Sequence, residues 1–190
     1  MPGGDDSEFR FAPVTPATLA DLERFSRSQG RFRYCSCLRW RLRSAGFRDA
    51  ADRPAQLAGL VADSVPVGVL AYRDDVPVGW CSVAPRETYA AVTASRTIPP
   101  LPGAGVWAVT CFFLASGVRH RGLQPRLLAA ACDYATARGA EIIEAYPWPG
   151  GASYRYMGTR ALYAEAGFTY VPGPDGYRPV MRYYPGHSAS

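Results

Sequence analysis

The sequence predicts a single α/β domain, and three observations carry that expectation. Trp107 to Leu114 (WAVTCFFL) is an apolar, β-rich run, and after it Leu123, Leu127, Ala131 and Tyr134 recur at helical spacing. Earlier, Val65 to Tyr72 and Pro77 to Ala84 flank the turn Arg73-Asp74-Asp75-Val76 as a β-hairpin. A chain of 190 residues is long enough to bury a core without disulfides or metals, and it needs no second domain.

In chain order, residues 1–8 are polar and Gly-rich and read as a flexible N-terminus. The domain proper is expected over 9–184, with 185–190 as a flexible tail. Phe9 to Val14 alternates as a first strand, and Thr15-Pro16 introduces a helix through Leu19, Leu22 and Phe25. In Arg31 to Arg43 (RFRYCSCLRWRLR) aromatics and thiols interleave with arginines. This segment reads either as a pocket wall or, more simply, as an amphipathic stretch whose Tyr34, Cys37, Leu38 and Trp40 enter the core. Pro54 to Asp63 is expected as a short helix. Residues 85–104 form a connection rich in Pro and Thr that is too long for an idle turn, and it is expected to border a substrate site.

After the central strand and helix, Glu141 to Tyr146 reads as a buried strand that Pro147-Trp148-Pro149 ends abruptly. A second helix is expected to carry Gly158-Thr159-Arg160-Ala161-Leu162-Tyr163-Ala164-Glu165-Ala166-Gly167-Phe168. Phe168 to Val171 and Tyr177 to Tyr184 then flank the turn-forming Pro172-Gly173-Pro174-Asp175-Gly176 as a terminal hairpin.

Composition narrows the function. The net charge is +5, and all 21 basic residues are arginine, with neither lysine nor asparagine in the chain. That bias is what a GC-rich genome produces, and dispersed arginines read as solvated surface more readily than as a nucleic-acid interface. The five cysteines are odd in number and mostly embedded in apolar runs, which suggests reduced thiols in a cytoplasmic protein. Cys35-x-Cys37 lacks a second Cys or His pair at zinc spacing, so no metal is expected. No apolar run reaches membrane-spanning length, so no membrane partner is expected. A homodimer is allowed, but nothing in the sequence sets the oligomeric state.

The chemistry concentrates between the central strand and its helix, in Arg119-His120-Arg121-Gly122-Leu123-Gln124. The first backbone N–H groups of a helix lack intrahelical partners and sit at its positive dipole end, so an anion belongs there. Gly122 permits close approach of a phosphate, and Arg119 and Arg121 supply charge-assisted donors. This strand, Arg-x-x-Gly-x turn and helix resembles the acyl-CoA diphosphate loop of the GNAT superfamily of N-acyltransferases. It matches five of six positions, and Gln124 departs by standing where Gly or Ala is usual. Leu162-Tyr163-Ala164-Glu165-Ala166-Gly167-Phe168 is similar to a second signature of that family, in which a helix ends at Gly and a strand begins with Phe. The resemblance spans about residues 9–184 and is strongest over 105–184. It implies a GNAT fold with a mixed central sheet of about six or seven strands flanked by helices. The uncharacterised bacterial subgroup it points to is known to us by no substrate.

The resemblance also implies a site. Acetyl-CoA would lie where two central strands splay, its pantetheine amides pairing with backbone near Phe112, Phe113 and Leu114. Its diphosphate would lie on Arg119, Arg121, Gly122, Leu123 and Gln124. A small-molecule or protein amine would attack the thioester directly. Tyr163 stands where family tyrosines reach the CoA sulfur, and a phenol with a pKa of about 10 can protonate a departing thiolate. For the base three candidates stay open. Glu144 is a carboxylate in an apolar strand, sharing a face with Ile142 and Tyr146 by alternation. Glu87 begins the long loop, and ordered water is the third. A catalytically inactive CoA-binding sensor on the same scaffold is the alternative reading. His120 reads as an exposed turn residue, and Cys111 as packing.

Overall fold

The computed structural model describes residues 8–29, 35, 38–43, 46, 52–119, 121–148 and 156–186. His120, Cys37 and most of the two expected flexible ends lie outside them. The strands are β1 (Arg10–Pro13), β2 (Val69–Arg73), β3 (Val76–Pro85), β4 (Val106–Leu114), β5 (Ile142–Ala145), β6 (Thr169–Val171) and β7 (Val180–Tyr183). The helices are α1 (Leu19–Ser28), α2 (Arg53–Ala62), the single-turn α3 (Ala90–Thr93), α4 (Leu123–Thr136) and α5 (Arg160–Glu165).

One seven-stranded mixed sheet holds these elements together, in the order β1-β2-β3-β4-β5-β7-β6. Only β4 and β5 run parallel, because α4 crosses over the sheet between them and returns the chain in the same direction. All the other neighbours are antiparallel.

Local signals bound the helices. The Asp52 carboxylate caps α2 by accepting from the Ala55 N–H at 3.0 Å, and Pro54 stands in its first turn. The Thr159 hydroxyl caps α5 by accepting from the Leu162 N–H at 3.1 Å. Gly139 and Gly167, at φ +85° and +83°, follow α4 and α5 in the left-handed conformation that ends helices.

The two sheet faces bury different partners. On one, Trp107, Val109 and Phe112 of β4 pack with Leu123, Leu127, Leu128 and Ala131 of α4 and with Leu162 and Tyr163 of α5. On the other, Leu70, Trp80 and Phe113 pack with Leu22 and Phe25 of α1 and with Leu57 and Val61 of α2. A third cluster on that side joins Ala84, Tyr89, Val92, Ile98, Tyr146 and Met157, with Trp40 against it. The long connection 86–105 is therefore less irregular than its composition suggests. It carries a 3₁₀ turn at Arg86–Thr88, then α3, and buries Tyr89 completely.

Candidate active site

The site begins at a break in the β4–β5 ladder. β4 pairs with β5 only from Val106 opposite Ile142 to Val109 opposite Ala145. Its pairing with β3 runs on to Leu114 opposite Gly79. The edge of β4 from Thr110 to Leu114 therefore has no β5 partner, and its outward backbone groups can pair with an extended ligand. The register of β3 against β4 also shifts between Ser82 and Val83, so Thr110 is an extra, bulged residue at the point where the strands separate. Phe112 then faces the α5 side, its ring 6.4 Å from that of Tyr163. Phe113 faces the opposite side, edge-on to Phe25 at 6.0 Å and stacked on Tyr156 at 5.6 Å.

The chain leaves β4 through a 3₁₀ turn at Ser116–Val118, and Arg119 Nε donates to the Leu114 carbonyl at 3.3 Å. Gly122 precedes α4 at φ +71°, ψ 6°, a conformation disfavoured for any residue with a Cβ. Gly122 at the N-cap has no side chain to cap the helix, and no acidic residue occupies its first turn. A Cβ on Gly122 would meet nothing within 4 Å, so among the described residues there is open space beside the first amides of α4, where an anion would fit. Arg119 and Arg121 are exposed at the same turn, Leu123 is buried beneath it, and Gln124 is half-buried. Arg121 Nη1 lies 3.6 Å from Glu8 Oε1, and Arg73 Nη1 lies 3.8 Å from the same oxygen. The residues at this turn fit a diphosphate.

Tyr163 is fully buried, and its hydroxyl donates to the Met157 carbonyl at 2.8 Å. Burial, and secondarily the neighbouring Cys81, Cys132 and Cys111 thiols, push its phenol well above the usual tyrosine range, so it stays protonated. Gly158 makes its position possible, since a Cβ there would lie 2.9 Å from the Tyr163 hydroxyl. The sequence places Gly158 in the second helix, whereas it stands before α5 at φ +75°.

Glu144 is buried as alternation predicted, but it is fully engaged. Oε1 accepts from Arg182 Nη2 at 2.7 Å, from Arg182 Nε at 3.0 Å and from Arg86 Nη1 at 3.1 Å. Oε2 accepts from the Tyr146 hydroxyl at 2.6 Å. Arg182 stands directly across the β5–β7 ladder. The two guanidinium groups also donate to the carbonyls of Leu101 and Pro102, tying the long connection to the sheet. The expected base is thus a carboxylate whose two oxygens are both occupied. Glu87, the second candidate, is exposed.

A second polar group sits at the bulge. The Tyr89 hydroxyl and Ser82 Oγ are 2.9 Å apart, and Thr110 Oγ1 lies beside the same phenol without a well-aligned hydrogen bond. Burial raises the Tyr89 phenol above its ordinary range. Sequence reading missed this group, because nothing local marks a hydroxyl that comes to face a strand bulge. Cys111 is half-buried beside the cluster under α1 and α2, with its thiol 3.7 Å from the Phe112 carbonyl. Among the described residues no group of three or more His, Cys, Asp or Glu could hold a metal, and no helix is long and apolar enough to cross a membrane.

A parallel strand pair whose pairing ends at a bulge, followed by a helix that starts at a left-handed glycine, defines an α/β protein with a mixed sheet. Residues 32–168 match the model of the acetyltransferase (GNAT) family, and the chain belongs to that family, which makes it an acyl-CoA-dependent N-acetyltransferase. No curated protein matches the chain in sequence. Solved structures share the fold at low identity. One is the PaiA N-acetyltransferase of Thermoplasma acidophilum in complex with coenzyme A, at 14% identity and a TM-score of 0.56, covering 93% of this chain and 98% of that one. Another is yncA of Salmonella typhimurium with its cofactor acetyl-CoA, at 14% identity and a TM-score of 0.55, covering 96% of this chain and 97% of that one. A third is a GNAT family acetyltransferase of Brucella melitensis in complex with acetyl-CoA, at 12% identity and a TM-score of 0.50, covering 96% of this chain and 91% of that one.

Proposed function

We propose that the chain, acting as one domain over residues 9–184, moves the acetyl group of acetyl-CoA to an amine by direct attack. The observation that carries this reading is the Thr110–Leu114 stretch of β4, which runs on beyond the end of its β5 pairing toward the start of α4 at Gly122. The pantetheine lies along that edge at Phe112, Phe113 and Leu114. The diphosphate takes the amides at Leu123 and Gln124, with Arg119 and Arg121 around it and Gly122 giving clearance. The neutral amine attacks the thioester carbon, a C–N bond forms and the C–S bond breaks. A strand amide beside the bulge stabilises the oxyanion.

Tyr163 gives its proton to the leaving thiolate, turning from the Met157 carbonyl to do so. Burial raises the pKa of phenol and thiolate alike, so their match survives desolvation. The amine's proton leaves by ordered water. Glu144, expected at first as the base, serves instead as an anchor, because Arg86, Arg182 and Tyr146 already occupy both of its oxygens. We also infer a reducing, cytoplasmic setting, supported by the unbridged thiols of Cys81, Cys111 and Cys132.

The same two hydrogen-bonded groups favour a second reading, a CoA-binding sensor with neither acid nor base at liberty. Tyr163→Phe separates the two. Under catalysis, turnover falls roughly a hundredfold or more while CoA affinity measured by calorimetry is unchanged. A parent protein that binds CoA yet acetylates nothing in a broad amine panel supports the sensor.

A further inference from the structure

On the sheet face opposite α4, a group of buried hydroxyls meets at the bulge and takes no part in the steps above. We propose that Tyr89 is a positioning residue for acyl transfer: its hydroxyl pins the β3–β4 bulge and so aims the strand amide that receives the thioester oxygen. This rests on the acyl-transfer reading and names the side chain that sets the geometry of its oxyanion site.

The bulge is where the reacting end of the ligand falls. The β3 register passes from Ser82 opposite Cys111 to Val83 opposite Val109, so Thr110 is skipped, and the β5 pairing ends one residue before it, at Val109 opposite Ala145. A ligand whose diphosphate sits at Gly122 and whose arm runs back along β4 from Leu114 brings its far end, the thioester, to Thr110. A bulge bends the strand and turns its backbone groups out of the ladder direction. Successive amides point to opposite edges of a strand, so the place of the bulge decides which amide meets the ligand.

Tyr89 fixes that place from outside the sheet. It belongs to the connection after β3, is completely buried, and its hydroxyl lies 2.9 Å from Oγ of Ser82, the last β3 residue before the register shifts. Thr110 Oγ1, on the skipped residue, lies beside the same phenol without an aligned hydrogen bond. One hydroxyl thus stands against both strands at the step between them. A phenylalanine would bury the same ring without desolvating a hydroxyl, so it is the oxygen that calls for a reason.

The ring is held from behind. Arg41, only 5% exposed, lies over it at 4.5 Å, while its Nη1 donates to Thr88 Oγ1 at 3.1 Å and its Nη2 to the Pro66 carbonyl at 2.7 Å. Both acceptors are neutral. With no carboxylate in ion-pair contact among the described residues, the Arg41 charge adds a positive potential behind the bulge, the sign that a developing oxyanion requires. Burial raises the Tyr89 phenol above its ordinary range and Arg41 partly opposes this, so the group stays a neutral hydroxyl.

The test uses the full chain and acetyl-CoA isotopically labelled at the thioester carbonyl. Tyr89→Phe removes one oxygen and keeps the ring against Arg41. An aimed amide polarises the bound carbonyl, so its infrared band in the parent is expected below that of free acetyl-CoA, and in Tyr89→Phe it should return toward the free value. Turnover, with water or with any amine the parent uses as acceptor, should fall roughly ten- to hundredfold in kcat at unchanged KM for acetyl-CoA. Ser82→Ala removes the partner oxygen from the β3 side and should act in the same way, which keeps the test decisive where Tyr89→Phe fails to fold. A band at the free frequency in the parent overturns the inference and leaves acyl transfer standing. So does a folded variant that loses urea stability alone, with the carbonyl band and kcat of the parent. A folded parent that binds no acetyl-CoA removes the acyl-transfer reading, and this inference with it.

Discussion

The turn at 119–124 and the cluster around Glu144 flank the same pair of parallel strands, yet they are built in opposite ways. The turn is one contiguous segment, exposed, with a helix end left uncapped. The cluster draws Arg86, Glu144 and Arg182 from three segments, with sequence separations of 58 and 38 residues to Glu144, and leaves no carboxylate oxygen free. Groups kept unsatisfied are available to a ligand. Groups satisfied by one another hold the scaffold that positions it. A change in the first should appear in binding, and a change in the second in stability.

The largest effect is expected at Glu144→Ala. It strands two guanidiniums against a buried sheet face and should cost about 3–5 kcal/mol in urea unfolding. A loss under 1 kcal/mol would mean that the cluster is not the anchor described. Gly122→Val comes next. With φ at +71°, a β-branched residue should lower stability by about 1–2 kcal/mol. Its Cβ meets nothing within 4 Å, so the accompanying loss of CoA affinity, expected to be tenfold or more by calorimetry, has to come from the ligand's own need for that space. Unchanged affinity would detach the diphosphate from the turn.

A pH scan sharpens the buried side of the contrast. Burial first, then the hydrogen bond to Asp21, pushes the Tyr72 phenol up to about 12. The raised phenol contributes stability that is complete below pH 10, the ordinary tyrosine range, and is lost as the pH climbs through its folded value. Urea midpoints should therefore hold steady to about pH 9 and fall above 10, and Tyr72→Phe should flatten that fall. The smallest effect belongs to Glu8→Ala. Freeing Arg121 from an exposed pair held at 3.6 Å should tighten CoA binding by no more than a few-fold, since such pairs are worth about 0–1 kcal/mol.

Legibility follows the same division. The strand Trp107 to Leu114, the turn and the helix from Leu123 were readable because alternation, Gly122 and helical spacing act within a few residues of chain. The hairpin around Asp74-Asp75 was readable for the same reason, and both aspartates take the positive φ of a tight turn, +49° and +58°. Glu144 was readable as buried, but not as paired. Its partners are placed by the β5–β7 register and by the return of a twenty-residue connection whose Pro and Thr content disguised a buried Tyr89. Gly158 gave no signal either, since its role is to leave room for a tyrosine ring.

By itself the sequence determined where the main strands and the long helix lie, and that this helix would begin at a glycine beside two arginines. Those properties depend on bonds and side chains separated by a turn or less. The tertiary structure alone decided that β4 outruns β5, that Arg86 and Arg182 close on Glu144, and that the Tyr89 hydroxyl reaches Ser82 at the bulge. Each of these arises when residues remote in the chain compete for one space, and no local pattern records which of them will arrive.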